Sequence, residues 1–125
     1  MNDGEDPRPP VWIGHVAIYS PKAPATIEFM LQLGMREIFR KHNFAVLEMR
    51  GGTHLVVTDD PDSSLLRGEF DFMVDDLDAT HGQLIERGYE PTDIERGEIH
   101  DQFEVREPGG TVILFNSSHV GDRPV

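Results

Sequence analysis

Apolar and polar positions alternate along the chain in two similar successions. Residues 11–19 (Val11-Trp12-Ile13-Gly14-His15-Val16-Ala17-Ile18-Tyr19) are β-branched and aromatic with one polar residue, His15, among them, and Ser20-Pro21 closes the run; this predicts a strand. From 24 to 33 the apolar residues Ala25, Phe29, Met30 and Leu33 recur at helical spacing. Pro24 suits a first turn and Gly34 stands where a left-handed cap residue belongs, so a short helix is expected. Residues 35–38, 44–49 and 54–58 read as three strands, separated by the turn compositions Arg40-Lys41-His42-Asn43 and Arg50-Gly51-Gly52. After the polar loop that starts at Asp59 the order restarts: a strand at 69–74, a helix at 76–86 with Gly88 behind it, then strands near 89–92, 103–106 and 111–115.

Both halves therefore read β-α-β-β-β, and local matches support a true repeat. Ala25-Thr26 and Gly34 recur 54 positions on as Ala79-Thr80 and Gly88, and Gly51-Gly52-Thr53 recurs as Gly109-Gly110-Thr111. One such module would leave a sheet face bare, so two must pair, within a chain or between chains. The expected organisation is an α+β fold in a single domain over 11–120, with module one at 11–58 and module two at 68–116. A polar, proline-rich lead-in at 1–10 and a tail at 121–125 flank it.

Composition narrows the chemistry. There is no cysteine among the 125 residues, which excludes disulfides, thiolate metal sites and thiol nucleophiles and leaves histidine and carboxylate. A formal charge of -12 at pH 7 repels nucleic-acid phosphates and anionic lipid; an acidic surface of this kind usually serves solubility, and it also offers steering of a cationic ligand. No apolar run approaches the roughly 20 residues of a membrane span, and the acidic start does not resemble a secretory signal, so a cytoplasmic location is expected. Phosphate-loop, nucleophile-elbow and H-E-x-x-H patterns are all missing. Asp75-Asp76-Leu77-Asp78 lacks the spacing of a calcium loop, and Asp76 is better placed as a helix N-cap.

A doubled β-α-β-β-β unit resembles the vicinal oxygen chelate superfamily, which includes glyoxalase I, extradiol ring-cleaving dioxygenases, fosfomycin-resistance enzymes and bleomycin-binding proteins. Gly14-His15-Val16-Ala17-Ile18-Tyr19 resembles its first strand, and Val74-Asp75-Asp76-Leu77-Asp78-Ala79 its strand-to-helix junction in the second module. Arg106-Glu107-Pro108-Gly109-Gly110-Thr111 resembles its late D-P-x-G turn, with Glu in place of Asp. The resemblance covers roughly residues 11 to 120. It implies an open cup made by the two modules, commonly closed in a homodimer, with metal ligands at four strand positions on the cup floor.

Carried over residue by residue, the first ligand position is His15, which matches. The second is Val56 and the fourth Leu114, neither of which can bind a metal, while the third is Glu69, where histidine is more usual. Residues 54 and 56 point to the same sheet face, so His54 lies one pleat from the second position, about 6 to 7 Å along the strand. A displaced set of His15, His54 and Glu69 would suit Fe(II), Mn(II), Ni(II) or Zn(II) and needs no organic cofactor. Glu69 and His100 are the candidate catalytic groups. Tyr19, Asp71 and His119 are candidate ligand contacts, while His42 and His81 read as surface residues.

Two functions follow from the resemblance. One is a metal-dependent enzyme, a lyase or dioxygenase, acting on a small molecule with adjacent oxygens, with glyoxalase I disfavoured by Val56 and Leu114. The other is a metal-free protein that sequesters a small cationic ligand in the manner of the bleomycin-binding members. Trp12, Phe70, Phe72 and Phe103 are its aromatic candidates, although alternation turns Phe70 and Phe72 toward the helix.

Overall fold

Strand alternation in the first half and a helix laid across it generate the first layer pair. A computed structural model describes residues 6–63 and 67–118. Strand β1 (His15–Ser20), helix α1 (Ala23–Gln32) and strands β2 (Arg36–Lys41), β3 (Phe44–Glu48) and β4 (His54–Asp59) form module one. Their sheet has the order β1-β4-β3-β2, with β1 parallel to β4 and the other pairs antiparallel. Module two comprises β5 (Arg67–Val74), α2 (Leu77–Glu86), β6 (Gln102–Arg106) and β7 (Val112–Ser117), in a sheet of order β5-β7-β6. The expected α+β architecture of two helix-covered mixed sheets is present, and Gly34 and Gly88 both take positive φ behind their helices, as the repeat predicts.

Each sheet buries alternate residues against its own helix. In module one Ile18, Ala45, Leu47, Leu55 and Val57 meet Ala23, Ile27, Phe29 and Met30 of α1. In module two Phe72, Phe103, Val105, Ile113 and Phe115 meet Leu77 and Leu84 of α2, with the Phe103 and Phe115 rings stacked at 5.0 Å. Phe70 and Phe72 thus pack on the helix side, as alternation requires.

The modules join chiefly through α1, with one ion pair between Arg50 and Asp75 beside it, rather than through strand pairing. The Phe29 and Tyr89 rings meet edge to face at 4.9 Å, the Tyr89 hydroxyl donates to Gln32 Oε1 at 2.9 Å, and Arg87 donates to the Gln32 carbonyl at 2.9 Å. Thr26 Oγ1 donates to Glu107 Oε2 at 2.7 Å. No strand of one sheet pairs with a strand of the other among the described residues. Because this junction lies on the helix side, the opposite face of each sheet is left open. Among the described residues no helix is long and apolar enough to cross a membrane.

Three expected strands differ from the structure; β2 runs on to Lys41, taking in Arg40 and Lys41 where a turn is expected. The first begins at His15 rather than Val11: its ladder partner β4 begins at His54, directly behind a 3-10 turn at Arg50–Gly52, so nothing is in register with residues 11–13. The strand near 89–92 does not form, leaving an isolated bridge between Glu95 and Gln102. The Thr92 N–H still donates to the Glu104 carbonyl at 2.8 Å, and side chains take the neighbouring backbone groups. The Glu104 N–H donates to Thr92 Oγ1, and the Thr92 carbonyl accepts from His81 Nε2 at 2.8 Å.

Candidate functional site

The strand registers arrange the open face of the first sheet in three rows. His15, His54, Glu48 and Arg36 lie side by side across the four strands; next come Ala17, Val56, Val46 and Phe39, then Tyr19, Thr58, Phe44 and Lys41. The first row is polar and the second apolar. The third ends in aromatic and cationic groups, with the Phe39 and Phe44 rings 5.4 Å apart and Lys41 Nζ 5.7 Å from the Phe39 ring.

The open face of the second sheet has Arg67, Val112 and Arg106 in one row, Asp71, Leu114 and Glu104 in the next, and Met73, Asn116 and Gln102 in the third. Its middle row sets an apolar side chain between two carboxylates. Asn116 Nδ2 donates to Asp71 Oδ2 at 2.5 Å, and Arg67 pairs with Glu104. A small cavity of about 90 Å³ opens beside Leu114, where the interrupted fourth strand leaves β6 partly uncovered; Thr92, Glu95, Gln102, Phe103 and Glu104 complete its lining.

His15 and His54 come together, their rings edge to face with centroids 5.6 Å apart. His54 Nε2 is also 3.4 Å from Glu48 Oε2, and Glu48 is paired with Arg36. Arg36 first and His54 second hold the Glu48 carboxyl below its usual range, so it is ionised at neutral pH. Glu48 and Arg36 were not singled out from the sequence. The place of Glu48 alone is readable, because Glu48 and His54 are equidistant from Gly51 and a hairpin centred there sets them opposite one another.

Glu69 does not join the two histidines within the chain. It is an exposed residue of β5, in the other sheet, between Arg67 and Asp71 where the register with β7 slips. Among the described residues no three His, Asp or Glu side chains are grouped to hold a metal ion, and no buried side-chain nitrogen or oxygen lacks a hydrogen-bond partner. The His15, His54 and Glu69 set is therefore not assembled within a single chain.

Tyr19 lies on the open face as expected, exposed and opposite Thr58. Asp71 lies on the other, opposite Leu114 and held by Asn116. His100 is half-buried, with Nδ1 donating to the Ser117 carbonyl at 2.7 Å, at the end of β7. His119 is outside the described residues. His81, which reads as a surface residue, anchors Thr92 and meets the Phe103 ring at 5.0 Å. The arrangement offers two half-sites, one polar and aromatic, one acidic around Leu114, suited to gripping a molecule with both apolar and charged parts.

Comparison with known proteins places this geometry. The family model described as Glyoxalase/Bleomycin resistance protein/Dioxygenase superfamily matches residues 12–115. Among curated proteins none matches by sequence. Solved structures of the same fold include a lactoylglutathione lyase from Agrobacterium tumefaciens (TM-score 0.73, 16% identity, 90% of this chain and 97% of that one). They also include a bleomycin resistance determinant encoded on the transposon Tn5 (TM-score 0.68, 20% identity, 88% and 100%). A third is TnmS3, an antibiotic binding protein from Streptomyces sp. CB03234 (TM-score 0.70, 23% identity, 86% and 95%).

Proposed function

Since the chain belongs to the Glyoxalase/Bleomycin resistance protein/Dioxygenase superfamily, we propose that it is a binding protein which sequesters a small organic cation, without catalysis, in cups shared by two copies. The observation that carries this reading is the middle of both open faces. Val56 and Leu114 stand where a metal-holding member of the superfamily places ligands, and Leu114 lies between the carboxylates of Asp71 and Glu104. An apolar floor beside the Asp71 carboxylate, with Glu104 paired to Arg67 on its other side, binds a cation with an apolar body, and the net charge of -12 draws such a molecule in. The similar structures of a bleomycin resistance determinant and an antibiotic binding protein support the same reading. The homodimer is part of the proposal, because each open face offers half a cup and a second copy supplies the other half.

A second reading is kept for one observation, the adjacency of His15 and His54. In it the partner's half-cup supplies further donors, and a divalent ion (Fe, Mn, Ni or Zn) serves an enzyme acting on adjacent oxygens of a small substrate. Untagged protein dialysed against EDTA separates the two when titrated calorimetrically with metal-free bleomycin as a cationic probe. Saturable binding of one molecule per chain, unchanged by prior EDTA treatment and weakened by Asp71→Asn, is the expected result. Tight uptake of one transition metal per chain, lost in His15→Ala and His54→Ala, with no binding of the cation by the metal-free protein, would overturn it in favour of the enzyme.

A further inference from the structure

We propose that the cavity beside Leu114 seats the ligand's charged head group, a primary ammonium or guanidinium, and that Glu95 selects it. This rests on the sequestration reading and adds to it the place and the chemistry of the charge. The cavity holds about 90 Å³, whereas pockets that enclose a drug-sized molecule hold about 300 to 1,000 Å³. It therefore takes one end of a molecule, and the apolar body lies outside it over Leu114.

A bulge in the backbone aims Glu95 into the cavity. The Thr92 N–H donates to the Glu104 carbonyl at 2.8 Å, and Glu95 and Gln102 exchange main-chain hydrogen bonds at 2.8 and 2.9 Å. Asp93 and Ile94 thus intervene on one side where Phe103 alone intervenes on β6, and an extra residue of this kind re-aims the side chains around it. In an unbroken strand residues 92 and 94 would share a face. Here Thr92 and Glu95 both line the cavity, while Ile94 packs on the core. The segment is braced at both ends: the Thr92 carbonyl accepts from His81 Nε2, and Arg96 bonds Asp78 and Asp101. The backbone that carries Glu95 is therefore in place before a ligand arrives, which lowers the ordering cost of binding.

The other groups around the cavity define what it accepts. Glu104 is paired with Arg67, whereas the Glu95 carboxylate has no ion pair or side-chain hydrogen bond among the described residues. None of the lining side chains is cationic. A quaternary ammonium brings no N–H donor and is recognised by open aromatic faces. Phe103, the one ring in the lining, is 1% exposed and stacked on Phe115 at 5.0 Å, so it offers no such face. The cavity thus favours cations with N–H donors, whose charge-assisted bonds to a carboxylate are roughly twice as strong as neutral ones.

Phenylbutylamine and its trimethylammonium analogue carry the same apolar body and the same charge and differ in N–H donors. Their binding to the isotope-labelled full chain is followed by NMR shift titration, in parallel with Glu95→Ala and Asp71→Asn. Glu95 meets Gln102 through main-chain atoms, so Glu95→Ala leaves the bulge intact. The primary amine is expected to bind about tenfold tighter than the analogue, with the largest shifts at the amides of Glu95 and Gln102. Glu95→Ala is expected to remove that preference, and Asp71→Asn to weaken both probes alike. Equal affinities, a preference that survives Glu95→Ala, or shifts centred elsewhere would overturn the head-group site; the sequestration reading then stands if Asp71→Asn still weakens both probes. No binding of either probe or of metal-free bleomycin would overturn both.

Discussion

Glu107 occupies the turn position where the resembled motif carries Asp, and its extra methylene lets the carboxylate reach across the module junction. The side chain is buried and accepts from Thr26 Oγ1 and Gly109 N at 2.7 Å each and from Thr111 N at 3.2 Å. A Cβ on Gly109 would overlap Ser20 Oγ, Thr26 Oγ1 and Glu107 itself, so the turn accepts only glycine there. Glu107→Ala strips three donors of their acceptor at a buried site. The expected cost is about 2 to 3 kcal/mol, read as a lower midpoint in urea unfolding, whereas a change under about 0.5 kcal/mol would show that water replaces the carboxylate. The residue types of the candidate site were legible: His15, His54 and Asp71 lie on the faces that alternation assigns. The partners that hold them, Glu48, Arg36 and Asn116, come from other strands and were not foreseen from their own local sequence.

At the scale of the element, local signals worked where the chain satisfies its own backbone. Helix α2 starts at Asp76, whose side chain accepts from Ala79 N at 2.9 Å, so Asp76→Ala is expected to cost about 1 kcal/mol of stability in chemical unfolding. Helix α1 has no side-chain cap and relies on proline in its first turn and on its buried face, so its stability is supplied by packing. The strand expected near 89–92 shrinks to one ladder bond to β6, from the Thr92 N–H to the Glu104 carbonyl, and the Glu95–Gln102 bridge. Here Thr92 Oγ1 and His81 compete for the backbone groups that a ladder would use. Arg96 then clasps the following loop, bonding Asp78 and Asp101 at 2.9 Å each. The exposed segment 11–13 was read as strand for the same reason, since composition reports the preference and not the presence of a partner.

For the whole molecule, charge is the property that sequence states most directly. At neutral pH the net charge of -12 acts against the compact state, and acidification relieves that repulsion until the paired carboxylates begin to protonate. Glu48, Asp75 and Asp78 are held below their usual values chiefly by Arg36, Arg50 and Arg96 respectively. A carboxyl whose folded pKa is depressed stabilises the fold above its unfolded pKa, near 4, and loses that contribution as pH falls through the folded value. Thermal stability is therefore expected to hold or rise slightly from pH 7 to about 5 and to decline below about 4. The decline should be shallower in the double variant Asp75→Asn with Asp78→Asn; identical acid profiles would exclude these pairs as its source. The sequence by itself determined the doubled module, the helix ends, the buried faces and the face on which His15, His54, Tyr19 and Asp71 lie, because each follows from local periodicity and backbone chemistry. Tertiary structure alone decided that the modules join through α1, that both open faces are turned away from that junction, and that Glu69 stands apart from His15 and His54. Those outcomes depend on contacts between residues far apart in the chain, which no local pattern encodes.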